Sequence, residues 1–189
     1  EIDTFNISAK YLKNTIKNLS KEDLNKVRAI IAVDLYGLPA NYNEINKIAK
    51  ENKMVVIADA AQSFGAEYYG KRVGNHADIT CVSFFPAKPL GCYGDGGMLF
   101  TENETIADKV MSLRVHGKGK SKYDIDLVGL NSRLDTIQAA ILLAKLEEFD
   151  WEVKRRNIIA KKYSEELDGI INIPFIPENI NSIWAQYTL

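Results

Sequence analysis

The chain has 189 residues, of which 46% are apolar and 26% are charged, and its 24 basic and 25 acidic side chains leave a formal net charge of -1. This composition excludes collagen-like, intrinsically disordered and disulfide-scaffold proteins, and the balanced charge argues against nucleic acid or an anionic membrane as a partner. The two cysteines, Cys81 and Cys92, form no disulfide framework and favour a reducing, cytoplasmic location. No apolar run approaches the roughly 20 residues that a membrane helix needs.

The ends of the sequence indicate a segment of a longer protein. It begins with EIDTF rather than with methionine, and it stops at SIWAQYTL, an aromatic and β-branched run, whereas natural ends are usually polar. A length of 189 residues corresponds to one domain and a fraction. We therefore expect parts of the protein to lie outside this chain.

A strand–helix–strand unit is the first element predicted along the chain. Residues 26–37 form a short apolar run that is closed by Gly37 and Pro39, which indicates a buried strand. Apolar residues at helical spacing predict a helix over 41–52, and a second buried strand follows over 54–59. Units of this kind build parallel sheets, so the sequence predicts an α/β fold.

Two more strands and a helix are predicted downstream. The strands cover 78–85 and 96–101. Thr101, with Glu104 three residues later, has the spacing of a capping box and predicts the start of a helix that closes at Gly117.

The last third of the chain is predicted to be mostly helical. The helical pattern runs over 133–169, which we interpret as two helices or one kinked helix. Short β-like pieces follow from about residue 170, where a second domain is expected to begin.

Three chemically useful side chains are predicted to meet at one edge of the sheet. Asp59 ends one predicted strand, Ser83 lies near the end of the next, and Lys88 follows in the loop. Ligands of open α/β sheets bind outside the carboxyl ends of the strands. Taken singly, the aspartate could cap a turn, the serine could bond to backbone and the lysine could be a solvated charge.

The surroundings of Lys88 favour a chemical role. The segment SFFPAKPLGCYGDGG encloses it with aromatic residues, prolines and glycines, so we expect the amine to be desolvated and its pKa to be lowered. Pyridoxal phosphate needs such a lysine, an acidic partner for its ring nitrogen and hydroxyl or backbone donors for its phosphate. Lys88, Asp59 and Ser83 are of these kinds.

Other cofactor classes find less support. No GxGxxG or GxxxxGK[ST] motif is present, so the sequence does not indicate dinucleotide binding or a nucleotide triphosphatase. His76 and His116 are far apart and neither has a metal-ligand spacing with cysteine, so no metal is predicted. His116 could serve the dipole of a helix end, and the basic loop 117–122 could meet phosphates or simply be solvated.

The motifs DAAQSFGA, SFFPAKPLG and GLNSRLDTIQAA, in this order and spacing, resemble the DegT/StrS family of sugar aminotransferases. The resemblance extends over nearly all of the chain. It implies a fold-type-I pyridoxal phosphate-dependent transferase: an α/β/α sandwich with a mostly parallel sheet. It also implies that 1–150 belong to a large cofactor-binding domain, without its N-terminal part, and that 151–189 are a linking helix and the start of a small C-terminal α+β domain.

The resemblance also implies roles for individual residues. Lys88 matches the catalytic lysine, which binds the cofactor covalently and later moves a proton; family members with the same fold that act as dehydratases have a histidine there, so Lys88 favours transamination. Asp59 matches the aspartate that pairs with the ring nitrogen. Ala58 stands where the family has an acidic residue, which we interpret as a tolerated packing change.

Four further cofactor-binding positions follow from the same resemblance. Ala61 matches a residue against the face of the ring, and Gln62 one near the ring hydroxyl. Ser83 matches a phosphate-binding hydroxyl. Asn131 matches an asparagine that reaches the phosphate of the neighbouring subunit, which implies a homodimer with a shared active site. The family's Gly-Thr/Ser phosphate loop is absent from this chain.

The segment from Arg114 to Leu146 most resembles enzymes that aminate C3 of a UDP-linked 3-keto-2-acetamido uronic acid for surface polysaccharides such as O-antigen, with glutamate as the amino donor. Arg133 is then a candidate for the substrate carboxylate, or forms an ion pair with Asp135 at the start of the helix. His116 and the loop 117–122 are candidates to line the nucleotide-sugar cleft. The alternatives are a different keto-sugar nucleotide (dTDP-3-keto, UDP-4-keto or GDP-4-keto) and a catalytically silent, cofactor-binding regulator.

Overall fold

A computed structural model describes residues 1–121 and 123–189. The helices are α1 (Ala9–Asn18), α2 (Lys21–Leu24), α3 (Tyr42–Glu51), α4 (Glu104–Leu113) and α5 (Thr136–Leu167), with a 3-10 turn at Leu35–Gly37. The strands are β1 (Ala29–Val33), β2 (Val55–Asp59), β3 (Glu67–Tyr68), β4 (Lys71–Arg72), β5 (Ile79–Ser83), β6 (Gly97–Phe100) and β7 (Ile180–Asn181).

The main sheet has the strand order β1-β2-β5-β6. The first three strands are parallel and β6 is antiparallel to β5. Helix α3 connects β1 to β2, so the predicted strand–helix–strand unit and the two later strands are confirmed. The carboxyl ends of β1, β2 and β5 therefore lie at one edge of the sheet.

Alternating side chains decide which face of the sheet is covered. In β1, Ile30 and Ala32 are buried against α1 and α3, whereas Ile31 and Val33 point to the opposite face and are exposed. Helix α3 presents its apolar stripe to the same core, and Asn41 caps it by accepting a hydrogen bond from the Glu44 backbone N–H.

A small antiparallel sheet joins the end of the chain to the body of the domain. Its order is β4-β3-β7, so the segment that follows α5 returns to pair with the loop after β2. The backbone N–H of Ile183 also donates to the Gly37 carbonyl, 3.1 Å away. The β-like pieces predicted after residue 170 contain β7 alone in the described residues.

Two predictions about helices need correction or refinement. The cap of α4 is Asn103, whose Oδ1 accepts from the Ile106 backbone N–H, rather than Thr101, which bonds to the Asp78 carbonyl instead. Helix α5 is a single element of 32 residues, not two helices. Its sequence contains neither proline nor glycine, the residues that usually break or kink a helix. In the described residues, no helix combines the length and the apolar character required to cross a membrane.

Candidate active site

Asp59 lies at the carboxyl end of β2 and is half-buried. Its Oδ1 accepts a hydrogen bond from the backbone N–H of Ala61, 3.1 Å away, which forms a tight turn directly after the strand. The carboxylate thus stands at the sheet edge with its orientation set by its own loop.

Ser83 occupies the corresponding position on the neighbouring strand. Asp59 is in register with Cys81, and Ser83 lies two residues further along β5, on the same face as Cys81. Strand spacing and rise put the Cα atoms of Asp59 and Ser83 about 8 Å apart. The Ser83 hydroxyl accepts from the Phe85 backbone N–H at 3.3 Å, and among the described residues no acceptor takes its own proton, which it can donate to a ligand.

Lys88 lies in a loop that starts and ends at the same edge. Its backbone N–H donates to the Phe85 carbonyl at 2.8 Å, which closes a turn. The side chain is half-buried and forms no hydrogen bond or ion pair in the described residues. Pro89 and Leu90 beside it are buried but Phe85 is 50% exposed, so the expected apolar enclosure is complete on one side only.

The sharp return of this loop depends on Gly91. A Cβ at this position would lie 2.6 Å from the Pro86 carbonyl oxygen, so a larger residue cannot be accommodated without moving the backbone. Helix α5 also holds the loop: Lys145 Nζ donates to the Gly91 carbonyl at 2.6 Å, and Gln138 Oε1 accepts from the Tyr93 backbone N–H at 2.8 Å. Sequence analysis missed these two α5 residues because their partners are about 50 positions away.

A cluster of phenylalanine rings holds together the segments that form the sheet edge around Asp59. Phe64 packs edge-on against Phe84, with ring centroids 5.8 Å apart, and stacks on Phe100 and on Phe149 of α5 at 6.4 Å and 5.7 Å. Gly65 makes this stacking possible, because a Cβ there would lie 2.7 Å from the Phe149 ring. The cluster connects the loop after β2 with the end of β5, with β6 and with α5.

Ala61 and Gln62 lie in the turn that Asp59 begins, and both are half-buried. Gln62 Oε1 accepts from the backbone N–H of Tyr36 at 2.6 Å, which ties this turn to the 3-10 turn after β1. The predicted residues Asp59, Ala61 and Gln62 therefore lie in one turn that hydrogen bonds hold in place.

Asp34, which follows β1, is a buried carboxylate that sequence analysis missed. Its Oδ1 accepts from the Ala40 backbone N–H at 2.8 Å and from the Tyr42 hydroxyl at 2.6 Å, and its Oδ2 accepts from the Ser63 hydroxyl at 2.5 Å. Burial raises the pKa of Asp34 to about 6, and the charge of Asp59 adds to the rise, against the three hydrogen bonds, which lower it. The available signal was an aspartate at the carboxyl end of each of two parallel strands, Asp34 directly after β1 and Asp59 as the last residue of β2.

The remaining predicted residues lie elsewhere, in or next to an exposed arm that we define as residues 115–121 and 123–131. Backbone bridges join Val115 to Asn131 and Lys118 to Ile125. Within the described residues, no hydrogen bond or ion pair joins Asn131, Arg133 or His116 to the Asp59 edge. Lys122, part of the predicted basic loop 117–122, lies outside the described residues.

Arg133 makes a local contact rather than the ion pair considered above. Its Nε donates to Asn131 Oδ1 at 3.0 Å, and in the described part of the chain it forms no ion pair with Asp135. Asn131, Arg133 and His116 are all exposed. His116 has a left-handed backbone, with φ of 61°, and its N–H donates to the Leu130 carbonyl within the arm.

A mostly parallel sheet with an acid, a hydroxyl and an amine at its carboxyl edge defines an α/β protein with a candidate ligand site at that edge. All residues 1–189 match the DegT/DnrJ/EryC1/StrS aminotransferase family, and the chain belongs to that family. The predicted family and the fold-type-I architecture are thereby confirmed.

Individual relatives agree with this assignment. The chain is 49% identical over 165 residues to a UDP-2-acetamido-2-deoxy-3-oxo-D-glucuronate aminotransferase from Pseudomonas aeruginosa, covering 87% of this chain and 46% of that protein. It is 42% identical over 168 residues to a pleiotropic regulatory protein from Geobacillus stearothermophilus, covering 87% of this chain and 45% of that protein. The crystal structure of a DegT DnrJ EryC1 StrS aminotransferase from Brucella abortus superposes with a TM-score of 0.93 at 42% identity, covering 99% of this chain and 50% of that one. The chain thus spans about half the length of the relatives it matches.

Proposed function

We propose that the whole protein is a pyridoxal phosphate-dependent aminotransferase. It transfers an amino group from glutamate to the keto group of a nucleotide-linked sugar, with C3 of a UDP-linked 3-keto-2-acetamido uronic acid as the preferred acceptor, for cell-surface polysaccharide synthesis. The observation that carries the proposal is the presence of Asp59, Ser83 and Lys88 at one sheet edge in a chain of this family.

The donor set at this edge fits the cofactor. A carboxylate for the ring nitrogen comes from the end of β2, a hydroxyl for the phosphate from the end of β5, and an amine from the loop after β5. In the described residues this amine has no hydrogen bond or ion pair. Asp59 would hold the ring nitrogen, Ala61 and Gln62 would contact the ring, and Ser83 would bind the phosphate. Bound pyridoxal phosphate supplies the electron sink that stabilises a carbanion at the α-carbon of the amino donor.

Lys88 is proposed as the catalytic residue. The Lys88 Nζ would hold the cofactor and, when not bound to it, would take the α-proton of the donor and return a proton to the acceptor. Its position in the loop supports this role because no hydrogen bond or ion pair within the described residues holds the amine elsewhere. The turn to Phe85 and the close approach at Gly91 limit how far the backbone around it can move.

The arm is proposed to complete the site of a second copy of the chain. Val128 is 98% exposed and Leu130 is 70% exposed, which is unusual for apolar side chains that stay in water. Asn131 lies next to Leu130, so an arm docked on a second subunit would carry this amide to the partner's phosphate site. A homodimer with shared active sites follows from this proposal.

The arm also supplies the proposed substrate contacts. The Arg133 guanidinium can bind a carboxylate in bidentate fashion, which suits the uronic acid. Its bond to Asn131 uses the Nε donor, and no other hydrogen bond of this guanidinium is found in the part of the chain that the structure describes. His116 is proposed to line the nucleotide-sugar cleft beside it.

A regulatory function is the second candidate, because one relative at 42% identity is named as a pleiotropic regulatory protein. A silent regulator that binds the cofactor without turnover is expected to have lost Lys88, Asp59 or Asn131, yet all three are present. Transamination therefore remains the preferred function.

The assay that tests the proposal uses the whole protein with glutamate and a panel of keto-sugar nucleotides: a UDP-linked 3-keto uronic acid, a dTDP-linked 3-keto sugar and a GDP-linked 4-keto sugar. We expect amination of the uronic acid at the highest rate and complete loss of turnover in Lys88→Ala, with full activity in Lys10→Ala, an exposed lysine on α1. Equal rates on uronic acid and neutral sugars would remove the role of Arg133. Cofactor binding without turnover on any sugar would favour the regulator.

The division of the protein and its location are proposals of the same kind. Residues 1–150 are assigned to the large cofactor-binding domain, and 151–189 to a linking helix and the start of a small C-terminal domain. A cytoplasmic location agrees with a nucleotide-sugar substrate and with the two free cysteines.

A further inference from the structure

The strongest unassigned feature is the buried carboxylate of Asp34. It is fully buried and, in the described part of the chain, has no lysine, arginine or histidine as an ion-pair partner. A buried charge without a counter-ion is costly and is retained only where hydrogen bonds compensate for lost water. The proposed reaction, as derived above, does not use this group.

The three donors that face Asp34 come from two separate segments. Ala40 and Tyr42 lie at the start of α3, whereas Ser63 lies in the loop that begins at Asp59. Tyr42 and Ser63 are themselves fully buried, so neither can exchange this bond for one with water. One carboxylate therefore connects the start of α3 with the loop 60–63.

Further bonds tie the same loop to the segment that follows β1. The Asp34 backbone N–H donates to the Asp59 carbonyl at 3.0 Å, and the Tyr36 N–H donates to Gln62 Oε1 at 2.6 Å. Ser63 closes the turn by donating its N–H to the Ala60 carbonyl at 3.1 Å. Asp34 and Asp59 are thus the two charged groups among the residues that these hydrogen bonds join.

The titratable groups that face Asp34 are Asp59 from β2 and Tyr42 from α3. Burial, with the Asp34 charge beside it, raises the pKa of Tyr42 and keeps its hydroxyl a donor. The charge of Asp59 raises the pKa of Asp34, so the two carboxylates sense each other. A second negative charge near Asp59 favours positive charge on whatever Asp59 binds.

We propose that Asp34 is a positioning residue for the cofactor: as an ionised carboxylate it holds the loop 60–63 through Ser63 and adds negative charge behind Asp59, which favours a protonated ring nitrogen. This inference rests on the proposed cofactor site. Asp34 acts through Ser63 and Asp59 and touches no substrate.

The test compares pyridoxal phosphate dissociation constants of the whole protein and three variants between pH 5 and pH 8. Asp34→Asn keeps the shape and can preserve every contact, because the Ser63 hydroxyl can accept as well as donate, but it removes the charge. Asp34→Ala and Ser63→Ala remove the bond to the loop. Ile45→Val, a buried substitution on α3 outside this network, is the control for general destabilisation.

We expect Asp34→Asn to bind about tenfold more weakly than the native protein at pH 8, since a charge-assisted hydrogen bond and a favourable charge are lost. Below about pH 6 the native Asp34 also becomes neutral, so the ratio of the two constants should approach one at pH 5. The ratio cancels the titration of the cofactor itself. Asp34→Ala and Ser63→Ala should bind weakly at every pH, and Ile45→Val should follow the native protein.

Two results would overturn the inference: native affinity in Asp34→Asn at pH 8, or a ratio that does not change with pH. Either result would leave the cofactor site itself intact, since the native protein would still bind pyridoxal phosphate. Absence of binding by the native protein would instead contradict the proposed function. Should Asp34→Ala fail to fold, Asp34→Asn and Ser63→Ala still decide the question.

Discussion

The sheet edge around Asp59 and the exposed arm are held in place in opposite ways. The edge is fixed within the chain by buried hydrogen bonds, such as those of Asp34 and Gln62, and by the aromatic cluster around Phe64. The arm is closed by two backbone bridges and leaves Val128 and Leu130 in water. The Asp59 edge is thus built within this chain, whereas the arm contributes to a site only under the proposal that it docks on a second copy.

The largest effect on stability is expected at the aromatic cluster, which packs the sheet edge against the core. Phe149→Ala removes a ring that is 2% exposed and stacked on Phe64, so it should lower the free energy of unfolding by about 3–5 kcal/mol. Denaturant unfolding of the whole protein measures this loss. Phe175→Ala, the same substitution at a ring that is 55% exposed, is the matched control and should cost far less. Equal losses in both variants would mean that the aromatic cluster does not support the edge.

An intermediate effect is expected from the charge of Asp34. Because burial raises its folded pKa from 3.8 to about 6, the unfolded chain releases this proton first, and the contribution of Asp34 to stability falls as the pH rises through that window. Asp34→Asn removes this dependence. Relative to the native protein, its free energy of unfolding should therefore rise by up to about 3 kcal/mol between pH 4 and pH 7.

Urea unfolding of both proteins at several pH values measures this difference. A difference that stays constant from pH 4 to pH 7 would show that Asp34 titrates normally. The expected result means that the charge lowers stability while it improves cofactor binding, a combination typical of functional sites.

The smallest effect on folding is expected in the arm. Val128→Ser changes a side chain that is 98% exposed, so the stability of one subunit should change by less than about 0.5 kcal/mol. Its effect should lie in association: the dimer dissociation constant should rise about tenfold if Val128 is covered by the partner. Sedimentation velocity measures this constant, with Met111→Ser on α4 as the control. Unchanged association would remove the arm from the subunit interface.

The sequence predicted the site residues at the sheet edge better than it predicted the distant residues that hold this edge in place. Apolar runs that end at Asp59 and Ser83 are local patterns, and the fold brings both to the same place because parallel strands end at one edge. Gln138 and Lys145 were not predicted, because their bonds to the Lys88 loop join residues about 50 positions apart. Glutamine and lysine are common helix residues, and nothing in the local sequence distinguishes those that make such long-range contacts.

The cap of α4 and the burial of Asp34 show a second limit of prediction from the sequence. Thr101 and Asn103 are both good caps by residue type, and the bond of Thr101 to the Asp78 carbonyl, a contact across the fold, decided between them. Asp34 lies inside the apolar run 26–37 and was not predicted as a site residue, because its three hydrogen bonds depend on residues brought to it by the fold, such as Tyr42 and Ser63.

The central claim is that Lys88 is the residue to which the cofactor binds. The whole protein is incubated with pyridoxal phosphate and treated with borohydride, which reduces the link between the lysine Nζ and the aldehyde carbon to a stable amine, and the digest is analysed by mass spectrometry. We expect the adduct on the peptide that contains Lys88, and its absence in Lys88→Ala. An adduct confined to another lysine, or none in the folded protein, would contradict it.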